Sequence, residues 1–336
     1  MRFAAWAAGV VALAVEAAGT TFYVSPAGSH TAPYTNWPMS ATNLQAAVSV
    51  ATNGDAVLVS NGSYRVFTAV RITNGITVLS VNGPSNTFVG GGYPLTSNQC
   101  FILGHSNAAL KGFTVSNGWS QVGAGSWYRG GGVLVISGRV DGCIIRLNHG
   151  GDGGGLCLLR GTAASNCLVE FNAAEFEGGG VYLAADARLT HSVVVDNGAH
   201  GSGGLFLDGN AIVRQCLIAR NSGRYGGGAY LNFGGTLESC TVVDNLASNS
   251  AGGLFFNTGA SDPVSVRNTI VYGNHASAGS NTYLSVSIAQ CNNCCIAPAP
   301  NGGTHITDDP RFVDPATGDF RLSHGSPCVG AGTNLP

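Results

Sequence analysis

The sequence predicts an all-β protein that folds as a single-stranded right-handed parallel β-helix, a solenoid, with a short N-terminal capping helix. Two observations carry this prediction: glycine-rich runs that open an apolar alternation, and six-residue units that each end in Asn. The openings lie at residues 130–135, 153–156, 178–183, 203–207, 226–231 and 252–256. The closing units are residues 143–148, 167–172, 192–197, 216–221, 240–245 and 269–274, with 112–117 a weaker match upstream.

The spacing of these units indicates the type of solenoid. Their closing Asn residues fall 24, 25, 24, 24 and 29 positions apart, and a fixed period of this size marks a solenoid. Within one copy, Leu205 and Leu207 alternate with Phe206 and Asp208, which is the spacing of two that a strand requires. Three short strands per coil, with glycine at the corners, predict coils stacked about 4.8 Å apart. The third strand is indicated by Val140, Ala164, Leu189, Val213, Leu237 and Val266.

Stacked coils place equivalent residues in columns. We therefore expect a ladder of side-chain amides, since each Asn amide can both donate to and accept from its neighbour. We also expect an inward column of small buried thiols, with disulfides between adjacent coils as the alternative. The ladder comprises Asn148, Asn172, Asn197, Asn221 and Asn245, and the thiol column comprises Cys143, Cys167, Cys216 and Cys240.

Composition narrows the class of protein. Of the 336 residues, 10% are charged and 44% are hydrophobic, and Lys occurs once, at Lys111. This composition suits coils that bury their inner faces, and it does not suit a disordered chain or a basic nucleic-acid surface. We expect one continuous rod, a monomer, with no nucleic-acid partner, no cofactor and no metal.

The chain divides into four predicted segments. Residues 1–19 are predicted as a signal peptide, because Arg2 precedes an apolar run that ends in small residues. A membrane anchor is the alternative, although the run is short for a spanning helix, and no membrane span is expected after signal removal. Residues 20–53 hold an N-terminal strand at 21–25 and a capping helix at 41–51. Residues 54–290 form the β-helix, and residues 291–336 form a C-terminal closing segment.

The closing segment contains a cysteine cluster comprising Cys291, Cys294, Cys295 and Cys328. A Cys-x-x-Cys pair can indicate zinc, but no second pair or His stands at ligand spacing. In an exported chain, a disulfide that pins the end of the rod is favoured over a metal.

Two regions of the chain, each made of three runs, carry a resemblance to a known family. Tyr23-Val24-Ser25, the helix around Asn43 to Val48 and the run from Gly54 to Tyr64 resemble the N-terminal part of secreted bacterial right-handed β-helix proteins of the pectate-lyase-like superfamily. The runs 308–314, 318–322 and 325–333 look like the segment that closes many such proteins, often labelled choice-of-anchor type. The resemblance implies the fold far more than the activity, because the superfamily contains lyases, hydrolases and adhesins.

The candidate catalytic residues lie in the connectors between each Asn and the next glycine run. Charge is rare in this chain, and functional residues concentrate on loops that a rigid scaffold positions. The connectors nevertheless bring polar and charged residues to one predicted edge. These candidates are Arg129, His149, Asp152, Glu175, Glu177, His200, Arg224 and Tyr225.

Two chemistries suit this set. A lyase acting on an acidic polysaccharide needs a cation against the uronate carboxylate, a base and an acid; Arg129 or Arg224 would neutralise, and His200 or Tyr225 would transfer the proton. A hydrolase needs two carboxyl groups beside the glycosidic oxygen, and Asp152, Glu175 and Glu177 are the supply. The plainer interpretation is that connectors are simply where polar residues are tolerated.

Aromatic residues supply the candidate binding surface. Tyr182, Phe206, Tyr230 and Phe255 occupy one outward position on four successive coils, so their rings could form a platform for the flat faces of sugars. Cross-strand stacking that stabilises the sheet is the alternative. Trp119, Trp127 and Tyr128 lie in the long loop before the regular array and are added as binding candidates.

These observations lead to two functional hypotheses. The first is an exported β-helix protein, secreted or held at the cell surface, that binds polysaccharide or cell-surface glycan and cleaves it as a lyase or a glycoside hydrolase. The second is a non-catalytic surface adhesin or structural repeat protein, since the repeats also resemble those of chlamydial polymorphic outer-membrane proteins and autotransporter passengers. The substrate identity and the disulfide pattern stay open at this point.

Overall fold

The computed structural model describes residues 19–120, 129–257, 264–284, 289–299 and 303–333. It is an all-β parallel solenoid of about nine turns with very little helix, which confirms the predicted fold class. Within the described ranges the coils build three parallel sheets, called here sheets 1, 2 and 3, and a two-stranded antiparallel sheet follows near the C-terminus.

Sheet 1 has 18 strands and receives two strands from each regular coil. Its strands are Thr21–Val24, Ala56–Val59, Val70–Ile72, Thr77–Ser80, Phe101–Lys111, Val133–Asp141, Leu156–Leu158, Ala163–Ser165, Val181–Leu183, Arg188–Thr190, Leu205–Asp208, Ile212–Arg214, Ala229–Asn232, Gly235–Glu238, Leu254–Asn257, Val264–Arg267, Thr282–Leu284 and Ala289–Asn292. The sheet is continuous because the long strand Val133–Asp141 pairs with both Leu156–Leu158 and Ala163–Ser165.

Sheets 2 and 3 close each coil. The 11 strands of sheet 2 are Gly62–Arg65, Thr87–Gly90, Thr114–Ser116, Ile144–Arg146, Leu168–Glu170, Val193–Val195, Leu217–Ala219, Thr241–Val243, Ile270–Tyr272, Cys294–Ile296 and His305–Ile306. The six strands of sheet 3 are His149–Gly150, Ala173–Ala174, Gly198–Ala199, Ser222–Tyr225, Leu246–Ser250 and His275–Ala278. Sheet 3 was not predicted, since its short polar strands lack an apolar alternation and the sequence shows them only as connectors.

A short helix covers the first coils at the N-terminal end. It spans Leu44–Val50, and its cap residue Asn43 accepts a hydrogen bond from the Ala46 amide at 2.9 Å through Oδ1. Leu44, Ala47 and Val48 are buried as predicted. The helix starts later than the predicted residue 41, because Ala41 is extended and pairs with Val24 of the first strand.

The predicted Asn ladder is present and is saturated with hydrogen bonds. In the coil of Asn221, Nδ2 donates to Asn245 Oδ1 at 3.0 Å and to the Val194 carbonyl at 2.9 Å. Its Oδ1 accepts from both the backbone amide and the Nδ2 of Asn197, each at 3.0 Å. The same chain of bonds runs through Asn148, Asn172, Asn197, Asn221, Asn245, Asn274 and Asn281. Burial makes these bonds obligatory, since an unpaired buried amide costs free energy.

The structure corrects the upstream register of the repeat by one residue. Thr114 pairs with Ile144, so Gly118 rather than Asn117 occupies the position of Asn148. Gly118 has no side chain for the ladder, and its amide donates to Asn148 Oδ1 at 2.8 Å instead. The weak match at 112–117 is therefore shifted by one residue, and residues 113–118 align with the unit 143–148.

All ten cysteines carry free thiols, and Cys143, Cys167, Cys216 and Cys240 are buried in the core as expected. At the C-terminal end, Phe312 and Phe320 of the antiparallel pair Phe312–Asp314 and Asp319–Leu322 pack outside sheet 2 over Val195, Ala219 and Val243. The disulfide expected among Cys291, Cys294, Cys295 and Cys328 is not formed in the structure, where all four are free thiols.

The four segment boundaries stay predictions, and residues 1–18 of the predicted signal peptide lie outside the described residues. In the part of the chain that the structure describes, no helix has the length and apolar character that crossing a membrane requires.

Candidate functional site

Sheet 3 positions most of the candidate residues. His149 begins one strand, Arg224 and Tyr225 lie in another, and Glu175 and His200 directly follow the strands Ala173–Ala174 and Gly198–Ala199. Because parallel pairing stacks these short strands in register, residues some 25 positions apart become neighbours. The candidates divide into two contacting groups and a looser third one.

The first group, the His149 cluster, consists of Tyr93, Trp119, His149 and Glu175. The His149 and Tyr93 rings are stacked with centroids 5.3 Å apart and planes 1° apart. Trp119 meets Tyr93 edge-on at 5.3 Å and His149 at 6.4 Å. His149 Nε2 lies 3.0 Å from Glu175 Oε1. An oriented imidazole beside a carboxylate can transfer a proton, and exposed rings beside it can contact a ligand.

The second group, the Arg129 cluster, consists of Arg129, Asp152, Glu177, Tyr182 and Ser202. Arg129 Nε donates to Asp152 Oδ2 at 3.2 Å, and the guanidinium lies 4.5 Å from the centre of the Tyr182 ring. Glu177 Oε2 accepts from the Ser202 amide at 2.8 Å and from the Ser202 hydroxyl at 2.7 Å. These contacts hold successive connectors together. Arg129, proposed from sequence to neutralise a substrate carboxylate, already has a carboxylate and a ring as partners.

Burial shapes the acidity of the two carboxyl groups in the Arg129 cluster. It raises the pKa of Asp152, against the opposing effect of the Arg129 charge. It also raises the pKa of Glu177, while the hydrogen bonds from Ser202 act in the opposite direction. Raised carboxyl pKa values are typical of general acids, but also of carboxyl groups that hold buried loops. The bonds to Arg129 and Ser202 favour the holding role.

The third group lies further along sheet 3. The Arg224 guanidinium lies 5.1 Å from the centre of the Tyr225 ring, and Tyr225 meets Phe255 edge-on at 5.6 Å. His200 and Arg224 are exposed. The structure thus brings His149 together with Glu175, Arg129 with Asp152, and Arg224 with Tyr225, but it does not gather all eight candidates at one point.

The four aromatic residues of the predicted platform do stack, and the stack extends to Tyr283. Successive centroids from Tyr182 through Phe206, Tyr230 and Phe255 to Tyr283 are 5.2, 5.2, 4.7 and 5.5 Å apart, with planes 10° to 24° apart. These five residues are called the aromatic ladder below. Near-parallel rings stacked along the rod cover each other's faces, so a ligand approaching from the side meets ring edges.

Exposure changes along the aromatic ladder. Tyr182 is 6% exposed and Phe206 8%, whereas Tyr230 and Phe255 are half-buried and Tyr283 is 39% exposed. Tyr182 and Phe206 are therefore mostly covered, and they pack with Ile102, Leu134 and Cys157 in a separate apolar cluster. Binding by the exposed end stays a prediction.

Sequence reasoning missed Tyr93, Ser202 and Tyr283. Tyr93 lies among irregular early coils, where counting by 24 residues fails. Tyr283 could have been found, because it pairs with Phe255 and continues the same column 28 residues on. Trp127 and Tyr128 lie outside the described residues. Within the described ranges, no group of three or more His, Cys, Asp or Glu side chains could hold a metal ion.

Comparison with known proteins shows the fold of this chain but does not assign the chain to a family. No family model and no curated protein matches the chain. A crystal structure of pectate lyase Pel9A is similar with a TM-score of 0.63 at 16% identity, covering 94% of this chain and 92% of that one. A rhamnogalacturonan lyase structure has a TM-score of 0.48 at 15% identity, covering 88% of this chain and 91% of that one. The likeness to the pectate lyase shows that the two chains share the right-handed parallel β-helix fold.

Proposed function

We propose that this protein is an exported β-helix protein that binds polysaccharide along the outer face of sheet 3, anchored at the His149 cluster. The observation that carries the proposal is the grouping of Tyr93, Trp119 and His149 at one end of that face. Tyr93 is 36% exposed and the other two side chains are partly exposed. Rigid rings with polar edges suit the apolar faces and hydroxyl groups of sugars.

The column that continues from His149 supports an extended ligand. In register with His149 stand Ala173, Gly198 and Ser222 on the next three coils. These small side chains leave a lane about 14 Å long at a strand spacing of about 4.8 Å, and Leu246 and His275 follow it. A polymer lying along the rod would contact the ring cluster at one end and this lane beyond it. The likeness to a pectate lyase makes a polysaccharide the first ligand to test.

If the protein cleaves its ligand, His149 and Glu175 are the pair to perform the proton transfer. They are in contact at 3.0 Å and partly solvent-accessible. The other acidic candidates, Asp152 and Glu177, are occupied by Arg129 and Ser202. The lyase hypothesis therefore places the proton transfer at His149, whereas a hydrolase needs two carboxyl groups and would have only Glu175 left.

Binding without cleavage is the second candidate function. It is favoured by the structural use of Arg129, Asp152 and Glu177, because these three candidate residues hold the connectors together. The surface adhesin hypothesis corresponds to this case. Export and a secreted or surface location belong to the same proposal and depend on the signal peptide predicted at residues 1–19.

The test is calorimetric titration of the purified full chain with uronate-containing and neutral oligosaccharides, followed by product analysis. Loss of one stacked ring should weaken binding about 3- to 10-fold, so we expect this change for Tyr93→Ala and for His149→Ala. Phe233→Ala is the matched control, since Phe233 is 54% exposed and lies at another corner. Its affinity should equal that of the wild type.

The products separate the two candidates. An unsaturated sugar end would indicate a lyase, a new reducing end without unsaturation would indicate a hydrolase, and His149→Ala should abolish either product. Binding with no product would establish the non-catalytic function. Absence of binding to every glycan tested, or equal affinities of Tyr93→Ala and the wild type, would reject the proposed site.

A further inference from the structure

A second candidate site lies at the opposite corner of the first coils, between sheets 1 and 2. It is an open cleft of about 280 Å³ lined by Trp37, Ser60, Asn61, Val81 and Asn82. Ser60 and Asn61 connect the strands Ala56–Val59 and Gly62–Arg65, and Val81 and Asn82 stand at the equivalent corner of the next coil. Trp37 approaches from the N-terminal loop. None of these residues belongs to the His149 cluster.

Trp37 is exposed yet firmly held. Its side chain is 40% exposed, and its ring meets Tyr23 at 4.6 Å with planes 67° apart. The surrounding turn is fixed by hydrogen bonds from the Ser40 amide to the Trp37 carbonyl at 3.1 Å and from the Met39 amide to Asn36 Oδ1 at 2.9 Å. A large ring that is already ordered loses little conformational entropy when it contacts a ligand.

The polar side of the cleft offers both hydrogen-bond donors and hydrogen-bond acceptors. Asn82 Nδ2 donates to Asn61 Oδ1 at 2.9 Å. This bond leaves Asn61 Nδ2 as a donor and Asn82 Oδ1 as an acceptor with no side-chain or backbone partner among the described residues. Both asparagines are exposed, so a ligand can reach these two groups directly from solvent.

These features specify the chemistry of a ligand. A hydroxyl group both donates and accepts, so neighbouring hydroxyls of a sugar ring match an amide donor beside an amide acceptor. The apolar face of the sugar matches the indole and Val81. The five lining residues carry no charge, so nothing in the lining compensates a carboxylate. We propose that this cleft binds a neutral saccharide unit, independently of the site on sheet 3.

The size of the cleft fits this assignment. A volume of about 280 Å³ lies just below the range of about 300 to 1,000 Å³ that is typical of small-molecule sites, so the cleft suits a single small unit such as one sugar ring rather than a long polymer. Recognition at the corner of the first coils would therefore involve a chain end or a branch, while the lane on sheet 3 takes an extended segment.

The experiment is titration of the full chain with cellohexaose, mannohexaose and xylohexaose, with hexagalacturonate as the charged probe. We expect at least one neutral probe to bind, and Trp37→Ala to weaken that binding about tenfold. Asn82→Ala should weaken it about threefold while leaving the Tyr23 and Trp37 contact in place. Phe67→Ala is the control, because Phe67 is 71% exposed and lies outside the cleft.

The outcomes keep the two sites apart. Binding of a neutral probe that survives Tyr93→Ala and His149→Ala but is weakened by both Trp37→Ala and Asn82→Ala would establish the cleft site, whatever the fate of the sheet 3 proposal. The inference would be overturned if no neutral probe binds, if hexagalacturonate alone binds, or if the Asn82→Ala protein binds like the wild type.

Discussion

The Asn ladder inside the coils and the aromatic ladder outside them arise from the same device, one residue type repeated at one position of the coil. The two ladders differ in how much of each side chain a ligand could still contact. Each central Asn uses both amide hydrogens and both oxygen lone pairs within the solenoid. The aromatic ladder is buried at Tyr182 and open at Tyr283. Repetition therefore creates stacking, whereas exposure at particular residues decides what a ligand can reach.

The largest expected effect is on the Asn ladder. Asn221→Ala deletes four hydrogen bonds. The Asn197 amide and the Val194 carbonyl lose their side-chain partner, while Asn197 Nδ2 and Asn245 Oδ1 keep their bonds to the Val169 carbonyl and the Asn221 amide. Each unmet group costs about 1 to 3 kcal/mol, so we expect the free energy of unfolding to fall by at least about 3 kcal/mol. Urea unfolding measures this, with exposed Asn210→Ala as the control. A loss below about 1 kcal/mol would show that the Asn ladder contributes little to the stability of the protein.

The next effect separates the two ends of the aromatic ladder. Phe206 is 8% exposed between two stacked rings, and Phe206→Ala should cost about 3 kcal/mol of unfolding free energy through lost burial and a cavity. Tyr283 is 39% exposed and has one ring neighbour among the described residues. Tyr283→Ala should therefore lower the free energy of unfolding by less than about 1 kcal/mol. Equal losses in urea unfolding would contradict the gradient along the ladder.

The same contrast explains which features the sequence could reveal. Strand positions and columns follow from a period of about 24 residues, so the partners of Asn221 and the neighbours of Phe206 could be named in advance. The contact between Tyr182 and Arg129 could not be named in advance, because Arg129 arrives from another coil and lies over the ring. The repeat also fails where it is irregular: the one-residue shift at Gly118 moves Asn117 out of the ladder.

The sequence predicted which residues lie at the candidate site, but not which of their side chains contact each other. The sequence places His149, Glu175, Asp152 and Glu177 on one edge. It does not show that Glu175 turns toward His149, nor that Glu177 turns toward Ser202. Those choices depend on side-chain directions and on coil lengths that vary by a residue. Tyr93, which stacks on His149, comes from a coil in which no repeat is visible.

The smallest expected effect concerns Glu177. Its carboxylate accepts hydrogen bonds from Ser202 of the next coil, so this outer side chain links two coils as the Asn ladder does inside the solenoid. Burial raises its folded pKa above the ordinary 4.5, so between pH 4.5 and the folded pKa the native protein binds more protons than the unfolded chain. The free energy of unfolding must then fall as pH rises through that window. Glu177→Gln keeps an oxygen that accepts from Ser202 but cannot ionise, so urea unfolding across this range should show a shallower fall. The remaining fall is due to Asp152, Glu170 and Asp244, because burial also raises the pKa of each of these carboxyl groups. Exposed Asn210→Ala is the control and should leave the slope unchanged, because neither side chain ionises. An unchanged slope in Glu177→Gln would mean that the connector is open to water and that its carboxyl group holds Ser202 only weakly.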